Sequence, residues 1–89
     1  MSLRVVLVGW GAIGRTVATL LPIDSIEIVG VGVRSDRRLP GLPTTATVIT
    51  DPAELAALAP DVVAEAAGRE TVVPWGRAAL TVGADIVVS

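Results

Sequence analysis

Three closely spaced glycines directly behind an aliphatic strand constrain this chain more than any other feature. Leu3 to Val8 reads L-R-V-V-L-V, a short β-branched run, and Gly9-Trp10-Gly11-Ala12-Ile13-Gly14 follows it as G-x-G-x-x-G. Beyond the glycines, Ile13, Val17, Leu20 and Leu21 recur at helical spacing on one face, closed off by Pro22. Ile26 to Val33, I-E-I-V-G-V-G-V, reads as a second strand within a unit of about 30 residues. Glycine weakens a strand, so Gly30 and Gly32 mark places where another part of the chain comes close.

The remaining sequence repeats this alternation. Arg34 to Thr45 is polar and contains proline, and reads as a loop; Ala46 to Thr50 reads as a short third strand. Asp51, Pro52 and Glu54 form a helix start, with a capping side chain, proline at the first helical position and an acid that reaches back. That helix ends by Pro60, and Asp61 to Ala66 forms a fourth strand. A helix over about Thr71 to Val82 carries Trp75, Ala78, Ala79 and Val82 at helical spacing, with Pro74 acceptable only in its first turn. Gly83 suits its C-terminal cap, and Asp85 to Val88 is a fifth strand. The order β-α-β-β-α-β-α-β implies right-handed crossovers and a parallel sheet. The expected fold is α/β, a Rossmann-type doubly wound sheet of five strands in the order 3-2-1-4-5, formed by residues 1–89 as one domain.

Composition agrees and removes several function classes. Hydrophobic residues make up 52% of the chain, yet there is no Phe or Tyr and there are only two Trp, so the core must be aliphatic. Strands buried on both faces of a parallel sheet have this character. A net charge of −2 with no basic stripe gives no reason to expect nucleic acid. The absence of cysteine excludes disulfides, thiolate catalysis and zinc-thiolate sites. The absence of histidine removes the commonest general base and metal ligand, so neither a catalytic residue nor a metal site is expected in these residues. No apolar run is long enough to span a bilayer, and strand-like sequence begins directly after Met1. A cytoplasmic location is the resulting expectation.

The glycine motif assigns tasks to its residues. Gly9 permits the turn off the strand, Gly11 lets a pyrophosphate approach the backbone, and Gly14 lets the helix pack closely. Trp10, Ala12 and Ile13 complete the loop, with the free N–H groups and positive dipole end of the helix directed at the phosphates. The competing reading is a tight βα turn that binds nothing. Trp10 is expected at the surface, either covering a cofactor or packing on a neighbouring domain. At the tip of the second strand an NAD-specific site has an acid for the ribose 2′-hydroxyl; here Val33 and Arg34 stand there, Arg37 and Arg38 follow, and Asp36 lies further into the loop. A guanidinium suits a 2′-phosphate, which favours NADP, or use of both NADP and NAD. Alternatively, these arginines are ordinary solvated charge. Ala66, Ala67 and Gly68, at the tip of the fourth strand, lie where the winding reverses, and their small size admits the nicotinamide riboside. Glu65 is either a functional carboxylate or a paired charge at a strand end.

With these segments in place the chain resembles the N-terminal domain of the L-aspartate dehydrogenase family. The resemblance rests on V-G-W-G-A-I-G at Val8 to Gly14, L-P-G at Leu39 to Gly41, E-A-A-G at Glu65 to Gly68 and G-A-D-I-V-V-S at Gly83 to Ser89. It implies reversible NAD(P)-dependent oxidative deamination of L-aspartate to iminoaspartate, and then to oxaloacetate and ammonia. It also implies a homo-oligomeric full-length protein and a C-terminal domain, outside these residues, that binds the amino-acid substrate and contributes a catalytic histidine. Some members have Asp where this chain has Val33, a departure that weakens exclusive use of NAD. On this reading the 89 residues alone bind the dinucleotide and are inactive. Homoserine dehydrogenase and dihydrodipicolinate reductase share the layout and stay open as alternatives. So do a non-catalytic NAD(P)-sensing module and a remnant that binds nothing.

Overall fold

The computed structural model of the chain describes residues 2–11, 16, 19, 25–34, 39 and 41–88. Strands β1 (Leu3–Val8), β2 (Ile26–Gly32), β3 (Thr47–Ile49), β4 (Val62–Glu65) and β5 (Asp85–Val88) form one sheet in the order β3-β2-β1-β4-β5. Every neighbouring pair is parallel. This is the doubly wound order expected from the alternation of elements. Thr16 and Thr19 are helical, in agreement with a helix after the glycine loop. The face predicted from Ile13, Val17, Leu20, Leu21 and Pro22 lies outside the described residues.

The side chains of β1 alternate between two apolar layers. Val6 and Val8 join Val29, Ile49, Leu55, Val63, Trp75 and Ala79 on one side. Val5 and Leu7 join Trp10, Ile28 and Val31 on the other. The register of β1 against β2 shifts between Val5 and Val6, which pair with Ile28 and Gly30. Such a bulge resets the alternation of side chains along the strand. As a result both glycines of β2 face the helix layer that holds Trp75. A Cβ on Gly30 would collide with Leu58 Cδ1, and one on Gly32 would lie 2.6 Å from the Trp75 ring. The close approach inferred from two glycines in a strand is thus made by these two side chains.

The short helix α1 (Leu55–Leu58) follows a 3₁₀ turn at Pro52–Glu54 that carries the predicted capping box. Asp51 Oδ1 accepts from Ala53 N–H at 2.9 Å, and Glu54 Oε1 accepts from Asp51 N–H at 3.3 Å. Arg4 closes the other end: its Nη2 donates to Leu58 O at 2.6 Å, and its Nε to Leu58 O and Ala59 O at 3.1 and 3.2 Å. These are carbonyls that a helix leaves unpaired at its C-terminus.

Helix α2 (Arg69–Thr81) begins two residues before the predicted start, so Pro74 is its sixth residue and lies beyond the first turn. The expectation that proline restricts this boundary is therefore corrected. The E-A-A-G loop caps the helix early, and the burial of Trp75 and Ala79 offsets the hydrogen bond that Pro74 cannot make. At its end, Gly83 (φ +79°) donates to Leu80 O at 3.1 Å and Ala84 N–H to Ala79 O at 2.9 Å. That pair of bonds is the Schellman arrangement, which makes Gly83 the predicted stop.

Candidate dinucleotide site

The carboxyl ends of the central strands finish level with one another. Val8 is in register with Gly32 on one side and Glu65 on the other. Two backbone bonds extend this pairing past the strands: Gly9 N–H donates to Gly32 O at 2.7 Å, and Ala66 N–H to Val8 O at 2.9 Å. From β1 the sheet order continues to β2 on one side and from β4 to β5 on the other, the switch point at which ligands bind in sheets of this kind.

A cleft of about 780 Å³ occupies this position. Its walls come from Val8 to Gly11 after β1, from Gly32 to Arg34 after β2, and from Thr50 after β3. Ala66 to Gly68 after β4 complete it, with Thr71 and Trp75 of α2. The volume is within the range of sites that enclose small organic ligands. Seven of the residues expected at the site therefore meet in one place: Gly9, Trp10, Gly11, Arg34, Ala66, Ala67 and Gly68. Ala12, Ile13 and Gly14 lie outside the described residues, as do Asp36, Arg37 and Arg38.

The two described glycines of the motif do different work. Gly9 has φ +100°, and a Cβ there would lie 2.9 Å from Ala67 Cβ and 3.0 Å from the Ala67 Cα and N. It is needed both for the turn and for contact between the loops. Gly11 is exposed, and a Cβ on it would meet nothing within 4 Å. The described residues make no steric demand for that glycine. The space beside its backbone suits a bulky group that approaches closely, as a pyrophosphate does. Among the described residues Arg34 is the only charged one in the cleft wall, and its sign suits a ligand that carries phosphate. A dinucleotide therefore fits the size, shape and charge of the walls.

One expectation needs correction. Trp10 is not at the surface: it is 9% exposed and belongs to the apolar cluster of Leu7, Ile28 and Val31 while also lining the cleft. An indole is a large apolar surface, and the glycines beside it let the backbone fold the ring onto that layer. Glu65, open in the sequence as a functional carboxylate or a paired charge at a strand end, is held by hydrogen bonds and, among the described residues, by no salt bridge. Its Oε1 accepts from Ala67 N–H at 2.6 Å, Gly68 N–H at 2.8 Å and the Thr71 hydroxyl at 2.6 Å. It thereby ties the two N–H groups just before α2 and a hydroxyl of its first turn to one carboxylate, and holds the E-A-A-G loop in shape.

Sequence reasoning missed Thr71 and Trp75 as site residues. Trp75 was legible only as a member of the helix's apolar face, although the glycine of β2 that receives its ring marks the end of the strand. Thr71 follows Glu65 by six residues, a spacing that belongs to no familiar capping signature. Among the described residues no group of side chains is suited to hold a metal ion, and no helix is long and apolar enough to cross a membrane.

Comparison with known proteins agrees with this geometry. Residues 9–89 match the family described as homoserine dehydrogenase, NAD binding domain. The chain is 52% identical over its whole length to the L-aspartate dehydrogenase of Brucella anthropi, of which it covers 34%. Among solved structures it is similar to GenD2 from gentamicin A biosynthesis in complex with NAD, at 26% identity and a TM-score of 0.81, covering 98% of this chain and 26% of that one. Homoserine dehydrogenase of S. aureus superposes with a TM-score of 0.79 at 22% identity, covering all of this chain and 26% of that one, and shows the common fold. The chain thus spans about a third or less of the length of these relatives. The glycine turn packed against the β4 loop beside the cleft accords with this match over residues 9–89, and the chain belongs to the family of homoserine dehydrogenase NAD-binding domains.

Proposed function

We propose that these residues are the cofactor-binding part of an L-aspartate dehydrogenase, which oxidises the amino acid while the bound dinucleotide accepts a hydride. The 52% identity to the Brucella anthropi enzyme across the whole chain carries this reading. It contrasts with 22% to the S. aureus homoserine dehydrogenase. The residues that would hold the cofactor are Gly9 to Gly14 for the pyrophosphate, Arg34 at the ribose end, and Ala66 to Gly68 for the nicotinamide riboside. The reaction also needs a proton-shuttling group near neutral pKa and cationic or amide groups for two carboxylates. With no histidine in these 89 residues, that assembly belongs to a substrate domain outside them.

We further propose that NADP is preferred or used alongside NAD. Arg34 lines the cleft where the second strand ends, and the residue before it is Val33 rather than an acid. Titration of the chain with NADPH and with NADH, following tryptophan emission, tests the cofactor reading, because both tryptophans line the cleft. Saturable quenching, tighter with NADPH, is expected; a folded chain that responds to neither returns the glycine loop to an ordinary turn. L-Aspartate-dependent reduction of NADP+ by the full-length protein tests the substrate, and turnover of L-homoserine instead would overturn that assignment.

A further inference from the structure

Glu65 is the buried charged side chain of the described core, 3% exposed, and it lies directly behind one wall of the cleft. Each of the three groups that donate to its Oε1 belongs to a residue of that wall: Ala67, Gly68 and Thr71. Burial of a carboxylate is costly unless it is hydrogen-bonded, and three donors on one oxygen meet that need. All three are neutral, so they orient the negative charge without cancelling it. The N-terminus of α2 offsets roughly half a unit of charge. Among the described residues no cation pairs with this carboxylate, so they leave the wall formed by residues 66–68 with a negative potential, in a place where bulk water does not reach the carboxylate.

We propose that Glu65 determines which redox form of the dinucleotide this cleft prefers. The proposal rests on the reading that the nicotinamide riboside lies against Ala66 to Gly68. An oxidised nicotinamide ring carries a positive charge and a reduced ring carries none. A fixed negative charge behind the wall favours the oxidised form and does little for the reduced one. Glu65 acts here through charge and through the loop that it shapes, without touching the ligand.

The test is calorimetric titration of the chain with NAD+ and NADH, and in parallel with NADP+ and NADPH, for the parent sequence, Glu65→Gln and Glu65→Asp. Glutamine keeps an acceptor oxygen for the three donors and removes the charge; aspartate keeps the charge and shifts the hydrogen bonds. The oxidised-to-reduced affinity ratio is expected to fall roughly five-fold in Glu65→Gln, the size of one unit charge acting across a partly solvated wall, and to hold in Glu65→Asp. Equal weakening of both forms by Glu65→Gln would reduce Glu65 to a structural cap and overturn the proposal. A parent chain that binds NADH more tightly than NAD+ would overturn it without any variant. A folded parent chain that binds none of the four ligands would instead reject the cofactor reading beneath it.

Discussion

Gly9 and Ala67 meet across the crevice so closely that a methyl group on Gly9 would lie 2.9 Å from the Ala67 side chain and 3.0 Å from its backbone. Backbone cannot yield as the end of a flexible side chain does, and the φ of +100° at Gly9 adds strain for any other residue. The turn after β1 and the loop after β4 therefore behave as one unit. Gly9→Ala is expected to cost about 2–3 kcal/mol of stability and to weaken dinucleotide binding along with it. Gly11→Ala separates the two effects, since its methyl meets no atom of the described residues within 4 Å. Its stability should stay within about 0.5 kcal/mol of the parent, while dinucleotide affinity falls about ten-fold, the size of a modest steric cost. Urea unfolding and calorimetric titration on both variants check this; equal binding by Gly11→Ala would place the pyrophosphate elsewhere.

Trp75 rests on Gly32, with ring atoms 2.6 to 3.0 Å from the position of a Gly32 Cβ. It is 5% exposed and belongs to the core cluster that includes Val8, Ile49 and Leu55. Trp75→Ala should remove about 3–5 kcal/mol, a large share of the stability of a small domain. Trp75→Phe keeps an aromatic ring on the glycine and leaves Trp10 as the sole fluorophore. Emission from that variant should still be quenched by NADPH, because Trp10 lines the cleft independently. Loss of all quenching in a folded Trp75→Phe chain would show that Trp10 does not sense the ligand.

The sheet order was legible in the sequence because each strand is a short aliphatic run bounded by glycine, proline or a charged turn, and each crossover has room for a helix. The capping box at Asp51 and Glu54 and the stop at Gly83 were legible for the same reason: each rests on contacts within a few residues. Long-range contacts were not. The burial of Trp10 depends on Leu7, Ile28 and Val31 standing together on one face of the sheet, which local sequence does not state. The role of Glu65 depends on the backbone of Ala67 and Gly68 turning back toward it after the strand ends. The bulge in β2 shows in sequence only as the adjacent apolar pair Ile28-Val29, which a strand buried on both faces also produces, so its position emerges from the register against β1.

Arg4 stands at the end of β1 remote from the cleft, and its guanidinium caps two carbonyls after α1. Its contact with Glu27 at 3.7 Å joins two side chains that are each 41% exposed, and such pairs contribute little. The carbonyl bonds are the stronger tie, being charge-assisted and part-buried. Arg4→Ala should cost about 1–2 kcal/mol, and Glu27→Ala less than about 0.5 kcal/mol. Neither should change dinucleotide affinity once the fraction of folded chain is accounted for. Denaturation midpoints with matched slopes are the check, and a larger effect from Glu27 would reverse the ranking of the two interactions.

Val33 and Arg34 offer the most direct control of cofactor choice. Val33 is half-buried, and its N–H donates to Ile49 O at 2.9 Å, so the backbone at the tip of β2 is held by β3 whatever the side chain. Arg34 is exposed and lines the cleft one residue later. Val33→Asp supplies the carboxylate that accepts from a ribose 2′-hydroxyl and repels a 2′-phosphate. Arg34→Ala removes a guanidinium that pairs with that phosphate. The double variant should raise the affinity for NADH relative to NADPH by about 10- to 100-fold, as expected for the exchange of one charge-assisted contact for another of opposite preference. Because the Val33–Ile49 backbone bond survives both changes, stability should move by less than about 1 kcal/mol. An unchanged affinity ratio in the folded double variant would mean that the 2′ position lies away from the tip of β2, and the arginine would then be ordinary surface charge.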